Sequence, residues 1–244
     1  MAEKRSSERA AVRVARKIVG EIRRRHLRPG AKLASEHRMV EKLGVARATV
    51  REALRFLELQ GALRIKAGPG GGPVVSVPNA QHLASVLSLQ LQFADAPFLS
   101  VIQARASIYP VLAAHAAVHA MPEDIEMLQQ SVERLQEYVD DTDFMIDELR
   151  RFHEIIAVAS RDTVLGLLVN ALHRMSEGSV YGVDAKQRRA AVRSCKKIAR
   201  AIESGDPETA RKVSQKHLGD AIREYMKRAP DTLKKPVAWM DSDH

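Results

Sequence analysis

The stretch LGVARATVREALRFLELQG, residues 43–61, admits few backbone paths. Gly44 separates two short amphipathic runs, residues 36–43 and about 47–60, and leaves room only for a tight turn between two helices. In the second run Val50, Ala53, Leu54, Phe56 and Leu57 form an apolar side, while Arg47, Thr49 and Arg51 crowd its first turns. A helix N-terminus already carries partial positive charge, so two arginines there are unfavourable until a negative partner meets them. Upstream, residues 11–26 place Val12, Ala15, Ile18, Val19 and Ile22 at helical spacing, and Pro29-Gly30 stops that run. Ser35 can cap the middle helix, although Arg38 three residues on leaves a capping box incomplete. Downstream of Gly61, ALRIK and PVVSV alternate as two short strands about a turn at 67–72.

Three helices and a two-stranded hairpin make a winged helix-turn-helix. In that motif the second helix of the pair enters the DNA major groove with its N-terminal residues first. Arg47 and Arg51 lie four apart, hence on one face. Phosphates and guanine edges would supply their negative partner, and a guanidinium forked onto guanine discriminates by about 1–3 kcal/mol. Charge is distributed accordingly. Residues 1–77 hold 18 Lys and Arg against 7 Asp and Glu, whereas the other 167 residues hold 21 against 23. A basic front joined to a near-neutral rear suits a polyanion-binding module with a second domain attached. AGPGGGP is not a dinucleotide loop, because position 73 is proline and a strand follows instead of a helix. It reads as a hairpin tip, whose glycines allow close approach to a DNA backbone and would turn Lys66 toward phosphate.

Residues 27–75 resemble the DNA-binding domain of GntR-type transcription regulators. The likeness is carried by PG-x-x-L-x-S-E, then LGV-x-R-x-T-V-R-E-A-L, then L-x-x-x-G. It implies base and phosphate contacts for Arg47 and Arg51, and backbone contacts for Thr49 and the wing glycine Gly68. His37 stands where the family usually has arginine, and Ala46 and Ala48 stand where hydroxyl-bearing residues are often found. Those departures retune the reading surface, so a family operator does not transfer.

From residue 78 the pattern is helical throughout, with six amphipathic runs in about 130 residues, which implies an all-α bundle. Asp162, Asp184 and Asp206 are candidate N-caps. His153, Cys195 and His217 each interrupt an apolar helix face. Each is either a core residue or part of a ligand or zinc site. FHEIIAVAS and CKKIARAIESGDPETARKVSQKHL resemble segments of the FCD domain of the FadR-like branch. Metal-binding members place an aspartate and three histidines at positions that are Leu149, His153, Cys195 and His217 here. The resemblance therefore leaves Zn2+ on His153, Cys195 and His217 as one outcome and a metal-free cavity as the other, the latter favoured. Arg105 matches an arginine that commonly faces the effector cavity, and Tyr109 replaces the usual glutamate before Pro110. An inward arginine requires a partner, either an anionic effector such as a carboxylic acid or acyl derivative, or an internal Glu.

The expected organisation is a DNA-binding domain at 1–77, a helical effector-binding and dimerisation domain at 78–228, and a loosely ordered Pro- and Asp-containing tail at 229–244. The expected activity is that of a homodimeric, non-enzymatic bacterial transcription regulator, commonly a repressor, on double-stranded palindromic DNA. A single cysteine excludes an internal disulfide, and no apolar run is long enough to span a bilayer, so a cytoplasmic setting without membrane contact is expected. Two rivals are a metal-dependent enzyme using His153, Cys195 and His217, and a sequence-neutral nucleoid protein. HEII does not complete HExxH, because position 157 is alanine, and there is neither G-x-S-x-G nor a Walker loop.

Overall fold

The computed structural model describes residues 2–68, 70–177 and 184–240, with side chains from Arg9 onward. Pro69 in the expected hairpin turn and the last four residues of the expected tail lie outside the described residues. The chain forms two compact units, residues 1–82 and 83–244.

The first unit runs α1 (Ala2–Arg24), α2 (Glu36–Leu43), α3 (Arg47–Leu59), β1 (Leu63–Lys66) and β2 (Gly72–Val75). Ser35 caps α2 by accepting the Arg38 N–H. Gly44 ends that helix at φ 63°, in the left-handed region, with its N–H donated to the Val40 carbonyl. α3 has no side-chain cap, because Ala46 offers no oxygen. Its inner face, Val50, Ala53, Leu54 and Leu57, packs with Ala11, Val14, Ala15 and Ile18 of α1 and with Met39 and Leu63. Phe56, expected on that face, is 41% exposed. At about 100° per residue it falls beside the stripe set by residues 50, 53, 54 and 57. The antiparallel hairpin pairs Leu63 with Val75 and Lys66 with Gly72. Its tip leaves no room for a side chain at Gly71, where a Cβ would lie 2.2 Å from the Lys66 carbonyl oxygen. Gly61 combines φ 70° with a His82 ring that a Cβ would overlap at 2.3 Å.

The second unit is helical: α4 (Ala80–Phe93), α5 (Phe98–His119), α6 (Pro122–Glu137), α7 (Thr142–Ala159), α8 (Thr163–Ser176), α9 (Ala185–Glu203), α10 (Pro207–Arg228) and α11 (Pro230–Lys234). The first residues of α4 belong to the first unit. α4 and α11 are additional to the six runs expected. Asp141, Asp162, Asp184 and Asp206 each accept a backbone N–H at a helix start. Tyr109, Leu112, Leu128, Leu135, Phe152, Ile156, Ile198 and Ile202 form the main core. Two buried carboxylates are satisfied within it. Glu148 takes Arg134 at 2.9 Å and the Ser131 hydroxyl at 2.6 Å, and Asp124 takes Arg161 at 2.6 Å and the Met121 N–H at 2.8 Å.

The expectation of a loose tail is corrected over residues 229–240. Leu233 and Val237 are buried, and Val237 joins Ala84, Val101, Ala171, Leu172 and Met175 in a second cluster. The Val237 N–H donates to the Ala96 carbonyl, the Trp239 N–H to Gln92 Oε1 and the Met240 N–H to Ser88 Oγ. Pro230 and Asp231 lie at the turn into α11 and Pro236 along an extended strap, where none is out of place. Burying Leu233 and Val237 is worth about 1.5–3 kcal/mol each, partly offset by ordering the strap. We expect a chain ending at Arg228 to unfold several degrees below the full chain by far-UV circular dichroism. Emission of Trp239, the sole tryptophan, should change together with that transition in the full chain; identical unfolding of the two chains would show the strap to be dispensable.

Candidate functional site

Two surfaces carry the chemistry. On the first unit, burial of one face of α3 leaves Arg47, Ala48 and Arg51 exposed and Thr49 half-buried. Arg47 lies 3.6 Å from Glu36, a mostly exposed contact that water and salt screen. His37 on α2 is exposed and 3.5 Å from Glu41. Lys66 ends β1, and Gly68 in the turn has φ 92°. The uncapped start of α3 adds backbone N–H groups to this positive surface. Lys32, not singled out by sequence, donates to the Gly70 carbonyl at 2.9 Å and ties the wing tip down.

On the second unit, α5, α7, α8, α9 and α10 line a cavity of about 230 Å3 that is partly open to solvent. Its wall is aliphatic along Ile102, Met145, Ile146, Leu149 and Ile222, with Arg105, His153, His173 and His217 at a polar end. The Arg105 Nη1 donates to Ser176 Oγ at 3.2 Å, and its Nε has no hydrogen-bond partner among the described residues. No carboxylate among the described residues lies within ion-pair distance of Arg105; Glu177, on the same cavity wall, acts on it only from farther away. The His153 ring lies 4.9 Å from His173, 6.3 Å from His217 and 4.8 Å, edge to face, from Tyr109.

Burial, then the nearby Arg105 charge, pushes His153 and His173 well below the usual histidine range. The same two causes lower His217 to about 4. Burial lowers Arg105 to about 10, which leaves it charged at neutral pH. The polar end therefore combines one guanidinium with three neutral imidazoles.

Sequence reasoning grouped His153, Cys195 and His217. The structure brings the two histidines to the cavity wall and does not bring Cys195 there. Ala191 and Ser194 form that part of the wall, and Cys195 is enclosed in the core with Ile198 and Ile202. Burial pushes its thiol up to about 12. Leu149, at the position of the family's aspartate, supplies no donor. Among the described residues, no group of three or more His, Cys, Asp or Glu side chains is placed to hold a metal ion. As placed, the three imidazoles do not converge on a single ion position. His173 was not foreseen: it lies between Leu172 and Arg174 in a run read only as an amphipathic helix.

A winged helix-turn-helix followed in the chain by a helical bundle with a partly polar cavity defines the class of effector-responsive DNA-binding regulators. The profile of the FCD domain matches residues 100–220, and that of the bacterial regulatory proteins of the gntR family matches residues 10–72. The chain is 31% identical over 195 residues to the HTH-type transcriptional regulator Mce2R of Mycobacterium tuberculosis, covering 77% of this chain and 79% of that one. It is 31% identical over 229 residues to the putative L-lactate dehydrogenase operon regulatory protein of Escherichia coli, covering 88% and 85%. It is 28% identical over 208 residues to the transcriptional repressor NanR of an Enterobacter species, covering 81% and 78%. In fold it matches a GntR protein of Streptococcus agalactiae, with TM-score 0.73, 21% identity and 88% and 99% of the two chains covered. The chain belongs to the GntR family, with an FCD domain behind its helix-turn-helix; it is a transcription regulator and not an enzyme. No helix among the described residues is long and apolar enough to cross a membrane.

The buried histidines make stability depend on pH. Their folded-state pKa values lie below the unfolded value of about 6.5, so protonation favours unfolding. The stability they allow is complete above about pH 6.5 and is lost as pH falls toward their folded values, by up to about 1.4 kcal/mol per pH unit for each group. Urea unfolding of the bundle should show a falling midpoint from pH 7 to pH 5, and His173→Gln should flatten the slope. An equal slope in that variant would exclude His173 as a source.

Proposed function

We propose that Arg47 and Arg51 read the operator in the major groove, with Ala48 against the base edges and Thr49 and His37 on the flanking phosphates. Lys66 and Gly68 of the wing follow the backbone. The observation that carries this reading is that α3 buries Val50, Ala53, Leu54 and Leu57 and leaves both guanidinium groups outside. Each good arginine–guanine pair contributes about 1–3 kcal/mol, and the uncapped start of α3 favours a phosphate.

The regulator acts as a homodimer on a palindromic site. On α4, Val86, Leu89 and Phe93 are exposed at helical spacing, an apolar stripe suited to a second copy. The cavity binds the effector, a carboxylic acid or acyl derivative, with Arg105 holding its charge and His153 and His217 on the adjoining wall. Binding releases the operator, in the repressor mode, because the effector prefers one dimer geometry. Cys195 packs behind that wall and takes no part.

Arg51→Ala should weaken operator binding by roughly 5- to 150-fold in a fluorescence-anisotropy titration, with an unchanged circular dichroism spectrum. Wild-type affinity should fall steeply with salt through counterion release. Operator affinity unaltered by the substitution would remove α3 from the interface. Equal competition by bulk DNA would favour the sequence-neutral alternative.

A further inference from the structure

The cations on the cavity wall are not equivalent. The Arg188 Nε donates to the Val139 carbonyl at 2.8 Å and its Nη2 reaches Asp140 at 3.8 Å. The Arg228 guanidinium lies over the Tyr225 ring. The wall's acids are engaged as well: Glu177 by Arg150 and Arg174, Glu224 by Lys227 and Gln187, and Asp220 by Lys216 and Arg223. Arg105 alone on this wall meets only a neutral hydroxyl, that of Ser176. Next to it, His153 and His173 are 3% and 5% exposed, and each has an Nδ1 without a hydrogen-bond partner among the described residues. A buried cation and unmatched imidazole nitrogens are costly unless something completes them.

We infer that the cavity takes an aliphatic monocarboxylate directly, its carboxylate seated between Arg105 and His173 without a bridging metal, and its chain lying along Met145, Ile146, Leu149 and Ile222. The inference rests on the reading of this cavity as the effector site. One unmatched guanidinium is neutralised by one carboxylate; a second anionic group would find only aliphatic wall or engaged cations. The unpartnered Nδ1 positions of His153 and His173 offer hydrogen bonds to the same carboxylate. Leu149 extends the apolar surface, and Cys195 is enclosed in the core. His173, on α8, is the polar partner. The recognition therefore uses a bidentate-capable guanidinium in place of a Lewis acid.

Isothermal titration calorimetry on the full chain, dialysed against EDTA, tests this with butyrate, hexanoate, octanoate and decanoate, with octan-1-ol and octanedioate, and with Zn2+ alone after removal of EDTA. We expect saturable binding of at least one monocarboxylate in EDTA, no comparable binding of the alcohol or the diacid, and no stoichiometric site for Zn2+. Arg105→Met should reduce monocarboxylate affinity at least 30-fold while the free protein unfolds at the same or a higher temperature, since an unmatched buried charge is removed. His173→Leu should reduce affinity at least 10-fold. Binding that appears only with Zn2+ would overturn direct recognition yet leave the cavity as the effector site. Binding indifferent to both substitutions would place the acid elsewhere and overturn the inference. Absence of binding by all four acids, with and without Zn2+, would overturn it together with the carboxylate reading of the effector.

Discussion

Packing of α3 on α1 is the interaction from which the DNA-facing surface follows. Val50, Leu54 and Leu57 are almost completely enclosed against Ala11, Val14, Ala15 and Ile18. Removal of any one of these large side chains would leave a cavity, and large-to-small changes in such cores cost about 2–5 kcal/mol. With that face committed, the helix has one remaining direction for residues 47, 48 and 51. The arginines are therefore positioned by apolar burial on the opposite side of the helix and not by bonds of their own. Glu36 near Arg47 is too exposed to hold it, so the guanidinium remains available to a stronger anion.

In the bundle a second consequence of burial dominates. Desolvation acts on every ionisable group at the polar end of the cavity, and it acts in opposite senses on what those groups can do. The histidines lose their charge, whereas Arg105, with its much higher starting pKa, stays ionised. The outcome at this end is one charged guanidinium beside three neutral imidazoles. The proposed anionic effector would regain for the guanidinium what burial cost it, while a neutral ligand would gain nothing comparable.

Much of the first unit was legible in the sequence because its signals are local. Gly44, Gly61, Ser35 and the 50–54–57 spacing each act within a few residues, and the structure uses them as their chemistry suggests; Phe56 failed only by lying at the edge of its stripe. The aspartate caps of the bundle were legible for the same reason. The cavity was less so. Helical periodicity separates inside from outside, but the inside of this bundle is divided between a packed core and a cavity wall. Cys195 and Ser194 are neighbours in sequence, and one faces the core while the other faces the cavity. No one-dimensional pattern distinguishes them. The strap over 229–240 was missed because its buried residues, Leu233, Val237 and Met240, follow an extended path with no helical period to reveal them.

α8 links the two halves of the regulatory problem within the bundle. His173 and Ser176 face the polar end of the cavity, while Ala171, Leu172 and Met175 of the same helix pack with Ala84 of α4, Val101 and Val237. α4 is the helix by which the chain leaves the first unit. A ligand that drew on His173 and Arg105 would act on a helix whose opposite face already supports α4. Close packing makes that shared face respond in discrete steps rather than by smooth deformation. Coupling between effector and operator requires no more than a different seat for α8 in the liganded and free bundle, with a free-energy difference of about 1–3 kcal/mol. The strap raises the threshold, since Trp239 and Met240 hold α4 through Gln92, Ser85 and Ser88. A shift of α4 must either carry the strap with it or break those bonds.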